Sequence, residues 1–306
     1  MKIGVTVPNS GVLAATDAPV KLAVEAERLG LDSVWVVDHL LLPHHSSQSY
    51  PYTRQQGVSL PSDWAFLDPL ITLAAIASRT ERVLLGTGVY LMPLRHPIVA
   101  AKAAASLDVL AHGRLLLGVG LGWIKEEYDL LGLPWEARGR LFDEQIDYVR
   151  ALWRDKAPEF QGEFWQASGF GFEPKPVDRT IPLLIGGKNG PARRRAAERG
   201  DGWHLIDLSP DEIRTARAAL GQDCAARGRD PAEVPLSMYA SVMILDEDIP
   251  EDRREFPLMG SIGQIAATVA AYPGAGLDHL VLAPRGLDDA GAYEAFYRRI
   301  LPDLSR

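Results

Sequence analysis

Apolar runs of five to ten residues recur along the chain: IGVTV (3–7), SVWVV (33–37), VLLGTGV (83–89), RLLLGVG (114–120), PLLIG (182–186), GWHLI (202–206), PLSMYASVMI (235–244) and HLVLA (279–283). Short runs of this kind read as strands buried on both faces. Between them the apolar positions fall three and four apart. In DAPVKLAVEAERLG, Leu22, Ala26 and Leu29 share one face and Lys21, Glu25 and Arg28 another, with Asp17 placed to cap the start and Gly30 to close the end. Phe142, Ile146, Val149 and Trp153 repeat that spacing, and Pro97 opens the alanine-rich IVAAKAAASLDVL. Eight strands alternating with helices predict an α/β protein with a parallel sheet. Closed on itself, that sheet is a (β/α)8 TIM barrel filling residues 1–306 as a single domain; a doubly wound open sheet is the competing architecture. Two stretches exceed a plain barrel: residues 40–67, after strand two, and 154–180, before strand five. A loop as long as the first, following a strand, belongs over the active face.

Composition narrows the partners. The formal net charge of −8 recommends neither nucleic acid nor an anionic membrane. A lone Cys224 excludes an internal disulfide and fits a reducing compartment. The N-terminus reads as a strand from its third residue, without a charged leader, and no window reaches 18 uninterrupted apolar residues. A cytoplasmic protein is the expectation.

Gly118, Gly120 and Gly122 alternate along HGRLLLGVGLGW. A dinucleotide fingerprint needs G-x-G-x-x-G in the first strand–helix turn. This spacing is different, and it belongs to the fourth strand. Alternate residues on an extended strand share a face. Three glycines there leave bare backbone for something flat to approach, or serve tight packing inside a barrel.

Barrel chemistry collects at the carboxyl ends of strands. Those ends supply Asn9, Asp38-His39, Gly88-Val89, Gly122-Trp123, Gly186-Gly187, Ile206-Asp207, Leu245-Asp246 and Pro284-Arg285. No Schiff-base lysine, carboxylate pair or activated Ser or Cys stands among them. Glycines with one well-placed histidine suit a cofactor that brings its own reactivity. In LLIGGKNGPARRRAAERG, glycines 186, 187 and 190 end a strand and open a helix, a place where amides and the helix dipole receive phosphate. Arg193, Arg194 and Arg195 sit in the first turns, where cations are electrostatically unfavourable unless an anion lies nearby; a solvated helix face also accounts for them. An unperturbed histidine is the natural proton donor or acceptor at neutral pH, and His39 stands at the end of strand two, where such a group would act. His44 and His45 lack a matched ligand set, so no metal is expected. Trp64, Tyr50 and Tyr52 roof an apolar pocket or anchor their loop.

Taken together, VWVVDHL, GTGVYLMPLRHPIVAAKAAASLDVLAHGRLLLGVGLGW, KEEYDLLGLPWEARGRLFDE and LLIGG…GDGW resemble the luciferase-like monooxygenase family, most strongly over 33–155 and 181–206. The resemblance implies a TIM barrel that binds the deazaflavin coenzyme F420, or alternatively FMN, at the strand ends. It implies that Asp38 and His39 flank the redox ring, His39 as proton relay, and that a cis peptide joins Gly88 to Val89. Gly120 and Gly122 would line the ring's approach, and Gly186, Gly187, Lys188, Asn189 and Gly190 would hold its phosphate. Trp64, Trp123, His204 and Arg285 are assigned to the substrate pocket. VVDHL resembles the F420-dependent branch, and the arginine cluster would suit an acidic cofactor tail. Trp123 stands where F420-dependent glucose-6-phosphate dehydrogenases carry a glutamate, and LIDLSPD supplies acids where they are basic, which disfavours a sugar phosphate. The expected function is F420-dependent hydride transfer with a small organic substrate. The alternatives are an FMN monooxygenase fed by a separate reductase and a cofactor-binding barrel without turnover. A homodimer is implied by the resemblance.

Overall fold

The computed structural model describes residues 1–45 and 60–304. Tyr50 and Tyr52 lie outside the described residues. Eight parallel strands, β1 (Lys2–Thr6), β2 (Ser33–Val36), β3 (Leu84–Thr87), β4 (Leu115–Val119), β5 (Leu183–Gly186), β6 (Gly202–Ile206), β7 (Leu236–Ile244) and β8 (His279–Pro284), pair in sequence order. The ring closes where β8 meets β1, with Ile3 opposite Leu280 and Val5 opposite Leu282. The open-sheet alternative is thereby excluded, and the fold is a TIM barrel. A short segment, Leu258–Gly260, adds in parallel alongside β7; no apolar run had marked it.

Helices α1 (Ala18–Arg28), α2 (Pro69–Ala77), α3 (Pro97–Leu110), α4 (Lys125–Leu130), α5 (Arg138–Arg154), α6 (Gly190–Arg199), α7 (Pro210–Ala225), α8 (Ile262–Ala275) and α9 (Ala290–Leu304) connect the strands. Leu22 and Ala26 on α1, and Phe142, Ile146, Val149 and Trp153 on α5, are buried as their spacing requires. Asp17 does not cap α1 with its side chain; it pairs instead with Lys21 at 2.8 Å, and Thr16 Oγ1 accepts the Ala18 amide. The insertion before β5 forms an antiparallel hairpin, Phe160–Gln161 with Gln166–Ala167, whose turn amides at 163, 164 and 165 converge on the Glu144 carboxylate. The end of the insertion after β2 returns to the β1 loop, where Leu67 N donates to the Asn9 carbonyl and Gly11 N to Ala65. No helix among the described residues is long and apolar enough to cross a membrane.

The barrel lumen is partly polar, and glycines make room for its large residues. A Cβ on Gly86 would fall inside the Trp35 indole, so only glycine admits that ring. Trp35 Nε1 donates to Ser33 Oγ, which lies 2.7 Å from His279 Nε2. The Trp35 ring also stacks on His204, with centroids 4.9 Å apart. His204 Nδ1 meets Ser237 Oγ at 2.8 Å.

Burial pushes His204 down to about 3, with His279 adding a little repulsion. His279 is pushed down to about 4, first by burial and then by Lys2. Both rings are therefore neutral in the folded chain well below 6.5, where an unfolded histidine takes up its proton. Unfolding below pH 6.5 consumes protons, so stability falls as the pH drops, down to about 4 for His279 and about 3 for His204. Each site contributes a slope of about 1.4 kcal/mol per pH unit in that window. Denaturant unfolding between pH 6 and 4.5 should show His279→Gln losing the slope of one proton; a slope equal to the parent's would contradict this account.

Candidate active site

The end of β2 is pinned from three sides. Asn9 accepts the Val37 amide at 2.9 Å and donates from Nδ2 to the Val37 carbonyl at 2.8 Å. The next side chain, Asp38, is buried and makes a two-point contact with Arg95, at 2.5 and 2.9 Å, while also accepting the Leu91 amide. Burial pushes its carboxyl upward, and the guanidinium and amide oppose that shift. Arg95 lies over the Tyr90 ring and also reaches Asp68 at 3.2 Å. Asp38 thus ties β2 to the segment following β3.

His39 turns the other way. Its Nδ1 lies 2.9 Å from Glu127 Oε2 on α4, and Phe66 and Trp123 stand edge-on to its ring at 5.5 and 5.9 Å. Glu127 is 1% exposed, and its second oxygen accepts the Leu40 and Leu41 amides at 2.8 and 3.2 Å. Among the described residues His39 Nε2 has no protein hydrogen-bond partner. Trp64 is exposed, and His44 Nδ1 contacts Ser62 Oγ at 2.7 Å.

The Gly88–Val89 peptide is cis. The segment is held from both sides, by Gly88 N donating to Val36 and Tyr90 N donating to the Gly118 carbonyl at 2.8 and 2.7 Å. Side chains on neighbouring strands would obstruct it. A Cβ on Gly118 would overlap the Thr87 carbonyl, one on Gly120 would lie 2.5 Å from Val89 Cγ2, and one on Gly186 2.7 Å from Val89 Cγ1. The bare face expected along the fourth strand is therefore occupied by the chain itself. Gly120 is buried beneath Val89, whereas Gly88 and Val89 remain half-exposed. Gly122 does not continue the extended row: it lies beyond β4 in the left-handed region (φ +77°), with Leu91 3.4 Å from where its Cβ would be.

Past β5, Gly187 takes φ +113°, its amide donating to the His204 carbonyl while its own carbonyl accepts Trp203 Nε1 at 2.6 Å. Asn189 Oδ1 accepts the Ala192 amide and caps α6. The side chain thereby serves the helix, and among the described residues the Asn189 and Gly190 amides find no protein acceptor. The arginines separate by role. Arg193 pairs with Asp223 on α7 at 2.7 Å, and Arg195 with Asp143 on α5. These two join helices, so the anion expected beside all three has one candidate. Arg194 is exposed and folds back along the first turn, its Nη1 3.2 Å from where a Gly190 Cβ would stand.

His204, assigned to the substrate pocket, is 3% exposed inside the barrel; its Nε2 has no hydrogen-bond partner among the described residues and lies 3.2 Å from the Cβ position of Gly88. Tyr239 borders Gly88 as well, and Arg285 lies 5.8 Å from its ring. Ser241 Oγ accepts from Arg285 at 2.8 Å and donates to Asp207 at 3.0 Å; burial pushes the Asp207 carboxyl upward.

Arg95, Glu127, Phe66 and Ser241 were not singled out by the sequence reading. One signal for Glu127 was available: with Ile124, Tyr128 and Leu131 it falls at three- and four-residue spacing, a carboxylate in an apolar row, of which Ile124 and Tyr128 are buried and Leu131 is exposed.

A family model described as luciferase-like monooxygenase matches residues 1–273. An uncharacterised protein of Mycobacterium tuberculosis is 36% identical over 63% of this chain and 67% of its own length. An F420-dependent glucose-6-phosphate dehydrogenase of Amycolatopsis mediterranei is 28% identical, covering 93% of each chain. The crystal structure of a monooxygenase from Streptomyces bottropensis superposes with a TM-score of 0.79 at 20% identity, over 100% of this chain and 99% of that one, a likeness of fold.

Removing one member of a buried ion pair leaves an uncompensated charge and costs about 3–5 kcal/mol. Arg95→Met should lower unfolding stability by that order, and adding Asp38→Asn should restore part of it. An unchanged denaturation midpoint in the single variant would show that the pair does not hold the β2 end.

Proposed function

The chain belongs to the luciferase-like monooxygenase family, and from that footing we propose that it is an oxidoreductase using coenzyme F420 on a small organic substrate. The observation carrying the proposal is the His39 imidazole at a barrel strand end, fixed through Nδ1 with Nε2 uncommitted. When bound, the deazaflavin supplies two-electron hydride chemistry. The chain's own share is positioning and proton handling. The Gly88–Val89 shelf offers a half-exposed surface for a flat ring at the carboxyl rim, just before the Leu91 amide that binds Asp38. A phosphate suits the Asn189–Gly190 amides, with Arg194 and Lys188 beside them and Gly186 and Gly187 shaping the turn. Nε2 of His39 takes or returns the substrate's proton. Phe66 and Trp123 flank that imidazole edge-on. Trp64 and Arg285 complete the substrate side of the site, and Gly122 its approach.

Support for F420 comes from the DHL sequence at the β2 end and from the full-length likeness to a dehydrogenase named for that coenzyme. That relative's sugar phosphate is not extended to this chain, because the β6 rim presents the half-buried Asp207 carboxyl bound to Ser241. The family's own description and the monooxygenase fold neighbour favour a second reading, FMN with oxygen and a separate reductase. A homodimer is carried with either reading on family likeness.

Fluorescence titration distinguishes the two readings: F420 should bind and FMN should not compete. Tight FMN binding without any response to F420 would overturn the first reading. Arg194→Glu should weaken F420 binding about tenfold, in a salt-dependent way. His39→Ala should leave that affinity within about twofold while slowing turnover by on the order of 10²–10⁴. An unchanged rate would remove His39 from the mechanism.

A further inference from the structure

Glu127 has two separable tasks. Oε1 accepts two main-chain amides, from Leu40 and Leu41, and Oε2 faces His39 Nδ1 at 2.9 Å. An ionised carboxylate can only accept hydrogen bonds, and this one is buried, so the atom it faces must carry the hydrogen. With its proton on Nδ1, a neutral His39 presents the lone pair of Nε2 to the site. We propose that Glu127 is a positioning residue that sets the tautomer of His39 and so readies Nε2 to accept a proton. The proposal rests on the reading of His39 as the proton-transfer group. It goes beyond anchoring of the loop after β2, which the two amide contacts would achieve alone.

Glutamine separates the two tasks. In Glu127→Gln the amide oxygen still serves Leu40 and Leu41, which leaves the NH2 group facing Nδ1. Two donors cannot face each other, so the ring proton moves to Nε2 and the lone pair turns away from the site. A wrong tautomer in intact geometry cripples a histidine base. Glu127→Asp keeps an acceptor-only partner and should keep the parent tautomer.

The test is ¹⁵N NMR of ring nitrogens in the full-length, cofactor-free protein, with the His39 signals assigned by loss in His39→Gln. At a pH where the ring is neutral, the parent and Glu127→Asp should show a protonated Nδ1 and an unprotonated Nε2. Glu127→Gln should show the reverse. In turnover assays Glu127→Gln should lower kcat by on the order of 10² or more, with KM and cofactor affinity changed less than about twofold. Placed on His39→Ala, the same substitution should cost nothing further. An unaltered tautomer in Glu127→Gln, or an equal loss of kcat in the His39→Ala background, would overturn the proposal. If His39→Ala retains full turnover, the proton-transfer role fails, while the NMR result still decides whether Glu127 sets the tautomer.

Discussion

Val89 occupies space that two strands vacate for it. Gly120 and Gly186 lack the side chains that would collide with its two methyl groups, and Gly118 lets the Thr87 carbonyl close in below. Packing at interior density leaves no slack for an added methyl at any of these positions. The segment that turns at Gly88–Val89 is consequently seated in β4 and β5 rather than projecting as a free loop. It forms a half-exposed shelf at the carboxyl rim of the barrel, where a planar cofactor has something rigid to lie on.

The imidazole proposed to handle the proton is fixed by buried contacts as well. Asp38 and His39 are neighbours in sequence, yet each is fixed by a different part of the fold. Asp38 is bound to Arg95 and Leu91 in the segment just after the shelf, and His39 to Glu127 on the helix that follows β4. Asn9 fixes the residue before them. Shelf and imidazole thus share supports, so their spacing is set by buried hydrogen bonds of charged groups rather than by an exposed loop. Such bonds hold because their carboxylates are removed from water and fully engaged.

The barrel was legible in the chain because period is a strong signal: eight apolar runs and the spacing of Leu22, Phe142 and their partners carry the topology. The strand ends were legible because topology dictates where strands end, which placed Asp38, His39 and the Gly186–Gly190 turn at the carboxyl rim. Sequence did not show what filled the glycine row. A missing side chain signals close approach but not the identity of the neighbour, which here is Val89, about 30 residues away in the chain. The arginines of α6 misled for a related reason. Arg193 and Arg195 look alike in sequence, and only the packing of α5 and α7 brings Asp143 and Asp223 to meet them. Glu127 was hidden among acidic neighbours in KEEYD, although its place in the apolar row of α4 distinguished it.

The central proposal is a flat redox cofactor resting on the shelf with its phosphate at α6. A crystal structure of the F420 complex measures this most directly. The ring should lie against Gly88 and Val89 with His39 Nε2 turned toward it, and the phosphate should accept the Asn189 and Gly190 amides beside Arg194. A ring bound away from Val89, or a phosphate held elsewhere than the first turn of α6, would contradict it.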